Sequence, residues 1–540
     1  MREDYQPQKA NHVALTPLSF LHRTADVYPD HLAVVYNERQ YTWSQTRDRC
    51  CQLASALQKI GIKKGDTVSV LAFNTPELFD AHFGVPLSGA VLNTINTRLD
   101  ADTVSYILDH GDAKALIVDA ELLPAAMDGI KGRAGMPVIV INDTAAAAPT
   151  DVAEALTNAT DYDSFIENGD ATFPGVLPDD EWQTLALNYT SGTTGRPKGV
   201  LYHHRGSYLM SMGTVMGWTI PQHPVYLYSV PMFHCNGWGH AWTMTAMAGT
   251  VVCLRYVDPK VMFELIELHK VTHFGGAPIV LNMMANAPKS DQKTFDRTIE
   301  VMTAGAPPPA AVINRMGEFG FNIMHVYGLT ETYGHVLQAA PQLHWASLSA
   351  AERSELVARQ GVRFPMNEAV DVVAGEPPVS VQHDGTSMGE IVLQGNTIMK
   401  GYLNNEDATT ESLRDGWFWT GDLAVVHADG YIQIKDRAKD IIISGGENIS
   451  SVEIENALYK HESVAEAAVV AMPDDKWGET PCAFVTLREG AKASEEELIN
   501  HVAKTIARFK RPKRVVFGTL PKTATGKIQK YALREKARES

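Results

Sequence analysis

The chain has 540 residues, too many for one hydrophobic core, and its 45% apolar and 20% charged residues are ordinary for a globular protein. A formal net charge of −16 argues against a general binder of nucleic acid or anionic membrane, because either would need a basic field. Five cysteines (Cys50, Cys51, Cys235, Cys253 and Cys482), odd in number and without Cys-x-x-Cys spacing, argue against a disulfide framework or a zinc ribbon and fit a reducing cytosol.

The N-terminus is polar and of mixed charge, and no stretch approaches the length of a membrane span, so a cytoplasmic protein without membrane insertion is expected. Residues 32–36 (Leu-Ala-Val-Val-Tyr) form a strand pattern, with a turn at Asn37-Glu38. Thr42 and Gln45 have capping-box spacing, and Leu53, Leu57 and Ile60 recur at helical intervals before Gly61, a candidate C-terminal cap. Thr67–Phe73 is a second strand candidate. Pro76 opens a second helix after Asn74-Thr75. Strand–helix alternation of this kind implies a parallel, doubly wound α/β sheet. The segment 145–180, rich in Ala, Asp and Thr with weak periodicity, is expected to wander over the surface. The α/β rhythm returns after residue 200 with strands at Val225–Val230 and Thr250–Leu254 and a helix over 258–270. No short repeat period occurs, which argues against a solenoid. Composition changes near Gly430. Helix patterns near 452–460 and 495–508, around strands Ala467–Ala471 and Ala483–Leu487, describe a separate α+β domain with its boundary near Lys435–Lys439.

The most informative run is 189–199, Tyr-Thr-Ser-Gly-Thr-Thr-Gly-Arg-Pro-Lys-Gly. Glycines Gly192, Gly195 and Gly199 let the backbone turn tightly. Thr190, Ser191, Thr193 and Thr194 add hydroxyls, and Arg196 and Lys198 add charge. Such a loop cradles a polyphosphate. It lacks the Gly-x-x-x-x-Gly-Lys-[Ser/Thr] spacing of a Walker A loop, and no hydroxyl follows Lys198. Further motifs follow in order: Thr303-Ala304-Gly305-Ala306-Pro307-Pro308, Tyr327-Gly328-Leu329-Thr330-Glu331-Thr332, Thr420-Gly421-Asp422, Arg437 and Lys439, and Thr525-Gly526-Lys527-Ile528. Each alone could be a turn or a solvated charge. Their joint order is the stronger signal.

On these motifs the chain resembles the acyl-adenylate-forming superfamily of acyl-CoA synthetases, adenylation domains and beetle luciferases, over about residues 20 to 535. The resemblance implies a large N-terminal domain (1–438) of two doubly wound subdomains and a small β-barrel. It implies a mobile C-terminal domain (439–540), hinged at Lys439, with ATP, Mg2+ and CoA as cofactors. Thr190–Lys198 would wrap the β- and γ-phosphates, Thr330 would hydrogen-bond the α-phosphate, and Glu331 would hold magnesium, a hard cation that needs few protein carboxylates beside phosphate oxygens. Gly305, Ala306 and Pro307 would line the adenine slot, with Tyr327 and Gly328 against the base. Asp422 would accept the ribose hydroxyls beside Arg437, a task that suits a carboxylate. Lys527 would meet the charge that develops as a substrate carboxylate attacks the α-phosphorus. Ser444, Gly445 and Gly446 would then come to the site, their small side chains leaving room for the pantetheine arm of CoA. The basic run Arg508, Lys510, Arg511, Lys513 and Arg514 is either a CoA-phosphate contact or a plain solvated surface.

For the acyl group, His234 would border the pocket and the carboxylate. Trp238 is either a wall that shortens the pocket or a core indole, and Gly276 lines another wall. A metal reading for His234-Cys235 is poor, because no paired ligand spacing accompanies it. No Lys or Arg in these segments grips a second carboxylate, so a small monocarboxylic acid is expected. The chain is also similar, through 234–238 and 327–334, to bacterial 3-methylmercaptopropionate–CoA ligases of dimethylsulfoniopropionate breakdown, which implies that acid as substrate. Fatty and aryl acids, delivery to a carrier protein, and a catalytically silent nucleotide-binding protein are the competing readings. A homodimer is the candidate assembly, one that no residue pattern specifies.

Overall fold

The computed structural model describes residues 6–133, 135–145, 159–190, 196–445, 447–474, 476–522 and 528–539. Two large sheets dominate. The first has eight strands in the order 401–402, 199–203, 184–189, 91–94, 67–71, 113–119, 138–141 and 159–161. It is parallel from Thr184–Tyr189 to Ala159–Asp161 and antiparallel at the other edge. The second has nine strands, parallel from Phe321–Leu329 through Ile299–Thr303, His273–Gly276, Val225–Tyr228 and Thr250–Cys253 to Leu32–Tyr36, with antiparallel strands at both edges. The central strands are buried on both faces, which is why their sequences are mostly apolar, with a few buried polar exceptions such as Ser69 and Asn93, which hydrogen-bond each other at 2.9 Å.

Local signals place the early elements as expected. Thr42 caps the helix Trp43–Lys59 in a full capping box with Gln45, and Gly61 follows with φ +97°. The helix Pro76–Leu87 is buried at every position, sandwiched with the shared core of both sheets. Its two buried carboxylates are paired: Glu77 with Arg39 at 2.5 Å and Asp80 with Arg49 at 2.8 Å. A third buried ion cluster ties the sheets together. Arg255, after the strand Thr250–Cys253, donates to Asp119 (2.7 and 2.9 Å), Asp143 (2.9 Å) and Glu121 (2.9 Å) on the eight-stranded sheet's side. The described part of the 145–180 segment, from residue 159, holds regular structure that its composition does not suggest. Residues 146–158 lie outside the described residues, but Ala159–Asp161 adds an edge strand, and Asp161 caps the short helix Tyr162–Glu167.

A six-stranded antiparallel sheet built on Ala369–Ala374, Met388–Gln394, Trp417–Val426 and Ile432–Arg437 forms the half-barrel. Beyond Arg437 the chain enters a five-stranded sheet with its own apolar clusters, covered by the helices Ser451–Tyr459, Glu495–Thr505 and Lys530–Glu539. The separate cores explain why composition shifts near Gly430.

Candidate active site

The phosphate-type loop springs from a hairpin. Tyr189 pairs with Gly199, and Thr190 N donates to Lys198 O at 3.0 Å while Lys198 N donates to Thr190 Oγ1 at 3.2 Å. These bonds close the neck of the loop. Ser191, Gly192, Thr193, Thr194 and Gly195 lie outside the described residues. At the descending side the Arg196 guanidinium rests over Tyr106 at 4.9 Å, and the Lys198 ammonium lies 4.6 Å from the centre of the Tyr402 ring.

Tyr402 joins two expected sites. Its backbone pairs with Val200 next to the loop, and its hydroxyl donates to Glu331 Oε1 at 2.8 Å. Tyr402 thereby touches both Glu331, through its hydroxyl, and Lys198, through its ring. The turn that carries Glu331 is fixed twice more, by Tyr202 Oη donating to Thr330 O at 2.5 Å and Met399 N to Glu331 O at 2.8 Å. Among the described residues no group of three or more His, Cys, Asp or Glu could hold a metal ion, so Glu331 offers a single carboxylate.

The segment 234–239 reaches the same turn. Cys235 Sγ lies 3.5 Å from Thr330 Oγ1 and 3.9 Å from His234 Nε2. Burial pushes the Cys235 thiol up, but the adjacent imidazole outweighs it and holds the thiol below its ordinary value. The backbone from Cys235 to Gly239 is left-handed throughout, with φ between +40° and +71°. Non-glycine residues rarely adopt this conformation, and surrounding structure must impose it. Here Asn236 supplies the strap: its N–H donates to Asn188 Oδ1, its Nδ2 to Thr94 Oγ1 at 3.1 Å, and it accepts from Asn188 Nδ2 at 2.6 Å. Gly237 allows no side chain, since a Cβ would fall 2.1 Å from Tyr228 Oη. The turn delivers Trp238, 8% exposed, against Gly275, where an added Cβ would sit 3.4 Å from the indole Cζ3. Gly276 follows, buried at the end of its strand.

The nucleotide residues form a second group. Tyr327 Oη donates to Asp422 Oδ2 at 2.6 Å, and Arg437 Nε faces Asp422 Oδ1 at 3.1 Å. Asp422 and Arg437 are cross-strand partners in the half-barrel, which is why residues fifteen apart meet. A carboxylate has about four lone-pair positions. With one on each oxygen taken, one on each stays open. Gly305 (φ +94°) has nothing within 4 Å of a would-be Cβ, and Ala306 and Pro307 are exposed beside it. Gly328 is set by the hairpin rather than by a ligand: a Cβ there would collide with Gly334 O.

Lys439 is exposed on the link between the half-barrel and the C-terminal sheet. Ser444 and Gly445 make their contacts within that sheet. Gly445 (φ +60°) donates its N–H to Trp477 O at 2.8 Å, and a Cβ would fall 2.7 Å from the Trp477 indole. The space expected there for a passing pantetheine arm is therefore filled on the Cβ side by Trp477. Gly446 and Lys527 lie outside the described residues. Two residues of the arrangement, Tyr402 and Tyr202, had no motif of their own, and Cys235 was singled out in the sequence only to discount a metal role. The only cue for Tyr402 is an aromatic ring after the Lys400-Gly401 turn.

Two doubly wound sheets, a half-barrel and a small α+β domain, with a carboxylate, a lysine and a threonine gathered at a glycine-rich loop, define an enzyme that activates substrates with a nucleotide. The profile of the AMP-binding enzyme family matches residues 21–403, and that of the AMP-binding enzyme C-terminal domain matches 453–527. An acetate–CoA ligase of Humulus lupulus is 49% identical, over 99% of this chain and 97% of its own length. The peroxisomal acetate/butyrate–CoA ligase of Arabidopsis thaliana is 47% identical with the same coverage. Among solved structures, an anthranilate CoA ligase in complex with anthranoyl-AMP superimposes with a TM-score of 0.84 at 24% identity, covering 99% of both chains. The chain belongs to the AMP-binding enzyme family. It is an AMP-forming acyl-CoA synthetase, which joins a carboxylic acid to CoA through an acyl-adenylate at the expense of ATP.

Proposed function

We propose that the acid is a small monocarboxylic one, and that the two residue groups described above divide the work of two half-reactions. The observation that carries the substrate reading is Trp238. The strapped left-handed turn sets its indole against Gly275 and His240, four residues after His234, and shortens any acyl channel that begins there. The acetate and acetate/butyrate specificity of the two relatives supports a short chain. Within that class we put 3-methylmercaptopropionate first, on the similarity carried by 234–238 and 327–334.

In the first half-reaction the substrate carboxylate attacks the α-phosphorus of ATP and pyrophosphate leaves in line. The amides, hydroxyls and Lys198 of the loop Thr190–Lys198 hold the β- and γ-phosphates, and Thr330 donates to the α-phosphate. Asp422 accepts both ribose hydroxyls through its two open lone pairs, oriented by Tyr327 and Arg437. Adenine lies along Gly305–Pro307. Glu331 is the residue that would hold magnesium. One carboxylate beside a polyphosphate fits a cation that takes its other ligands from phosphate and water, and it would neutralise charge on the phosphates. Lys527 is the residue that would meet the oxygens that gain charge in the transition state. In the second half-reaction the 439–540 domain turns about Lys439 and brings Ser444–Gly446 to the site. The CoA thiolate then adds to the acyl carbonyl, and the carbonyl–phosphate bond breaks to release AMP. We place the protein in the cytoplasm, a reading supported by five cysteines, all free and buried. No helix among the described residues is long and apolar enough to cross a membrane. A homodimer is the assembly to test first.

The test is a panel of acids with ATP and CoA. Linear acids of two to five chain atoms, 3-methylmercaptopropionate among them, should give the highest kcat/KM for thioester. Preference for long-chain or aryl acids would overturn the short-pocket reading.

A further inference from the structure

The C-terminal helix begins with a lysine that none of the assigned roles uses. Lys530 is only 17% exposed, yet it carries a charge inside the small domain. Its ammonium lies 2.8 Å from Glu455 Oε1 and 2.5 Å from Ser451 Oγ, both on the helix Ser451–Tyr459. Glu455 is fixed in turn by Val469 N at 2.7 Å. A second carboxylate, on the half-barrel, binds the same Ser451 and acts on the ammonium by charge without pairing with it directly. Asp436, 3% exposed, sits on the half-barrel strand Ile432–Arg437 and accepts from Ser451 N at 2.6 Å, at the N-terminus of that helix. Burial works against the charge on Lys530, but Glu455 and Asp436 outweigh it and hold its pKa above the ordinary value. Ser450, which caps the helix, also donates to Lys435 O at 2.5 Å. Arg534, one turn along from Lys530, pairs with Asp440 on the link itself.

We propose that Lys530 and Asp436, bridged by Ser451, form a latch across the link 438–441, which holds the small domain in the orientation seen here. This deepens the two-pose reading above and rests on it. The arrangement suits a latch that must open. When the domains part, Asp436 leaves with the half-barrel, but Glu455 stays with Lys530. The buried cation therefore never stands unpaired, and release avoids the large penalty of an orphaned buried charge. Asp436 near the link becomes solvated as it separates. Lys530 and Asp436 are positioning residues; neither touches the reacting atoms in this account.

The test uses the full chain in four forms: wild type, Asp436→Asn, Lys530→Met and Lys530→Arg. Asp436→Asn keeps an acceptor for Ser451 N–H and removes only the charge, so it serves where Lys530→Met fails to fold. Adenylation is followed by acid-dependent pyrophosphate exchange, and thioester formation from supplied acyl-adenylate and CoA. Domain orientation is followed without substrate by energy transfer between dyes at Leu343→Cys and Phe517→Cys, exposed positions on the two domains. The expected result is a change of about fivefold or more in the ratio of the two half-reaction rates, in the same direction for both neutralising variants. Transfer efficiency should shift with it, and Lys530→Arg should lie near wild type. Equal loss of both half-reactions with unchanged energy transfer would reduce the cluster to a structural role and overturn the latch. If no acid supports exchange in wild type, the functional reading fails, and energy transfer alone still decides the latch.

Discussion

Asp422→Asn is the perturbation with the most direct structural arithmetic. The carboxylate is 4% exposed and spends one lone pair on Tyr327 and one on Arg437, which leaves one per oxygen for the ribose. Asparagine replaces one acceptor oxygen with a donor, so one ribose hydroxyl loses its partner and the other keeps a neutral one. A hydrogen bond to a charged group contributes about 1.5–3 kcal/mol, or about 10- to 150-fold in binding. Arg437 keeps 31% of its side chain in solvent, so its charge remains hydrated and the fold should persist. KM for ATP in pyrophosphate exchange should therefore rise about 10- to 150-fold. The same factor should appear in KM for supplied acyl-adenylate, because the ribose survives the first half-reaction. Tyr327→Phe removes only the orienting hydroxyl and should cost about 2- to 12-fold. An unchanged KM for ATP in folded Asp422→Asn, or a loss confined to kcat, would refute the assignment of this carboxylate to the ribose.

Further predictions follow from the same geometry. Trp238→Ala should move the optimum of the acid panel to longer chains, by about 0.8 kcal/mol, or roughly fourfold, per methylene newly buried; an unchanged chain-length profile would return the indole to the core. Lys527→Ala should abolish pyrophosphate exchange yet spare thioester formation from supplied acyl-adenylate, and equal loss of both would remove the division of roles. Melting temperature should fall as pH drops from about 6.5 toward 4. Burial depresses His82, His203, His273 and His325 to about 4 and His204 and His335 to about 3, so between those values and 6.5 the unfolded chain binds more protons. Buried Asp80, raised to about 6, and Asp119, Glu300, Asp436 and Glu455, also raised by burial, have the opposite sign, but burial lowers His22, His31, His110, His240 and His269 as well, so eleven groups stand against five. A flat melting profile over that range would contradict the neutral, buried state of these imidazoles.

What was legible in the sequence was local. The capping box at Thr42, the proline at Pro76 and the positive-φ glycine at Gly61 act over a few residues, and each sits where its pattern placed it. Strand cores were legible because parallel strands buried on both faces are mostly apolar. The Asp422–Arg437 contact was nearly so, through motif order, since the two lie on adjacent strands. Tyr402 to Glu331 spans 71 residues, Asn236 to Thr94 spans 142, and Lys530 to Glu455 spans 75; such pairings arise from topology and leave no periodic trace. The left-handed run at 235–239 was hidden for another reason. Only two of its five residues are glycine, and the strap that forces the others comes from Asn188 and Thr94 on distant strands. At Gly445 (φ +60°) a Cβ would fall 2.7 Å from the Trp477 indole, a contact across the sheet that the sequence does not show.

The central claim, activation of a small acid as an adenylate before any thiol takes part, is tested most directly by exchange of labelled pyrophosphate into ATP with CoA withheld. The account predicts exchange that depends on a short monocarboxylic acid, followed on addition of CoA by thioester and AMP in equal amounts. Exchange that requires CoA, or formation of ADP and phosphate in place of AMP and pyrophosphate, would contradict it.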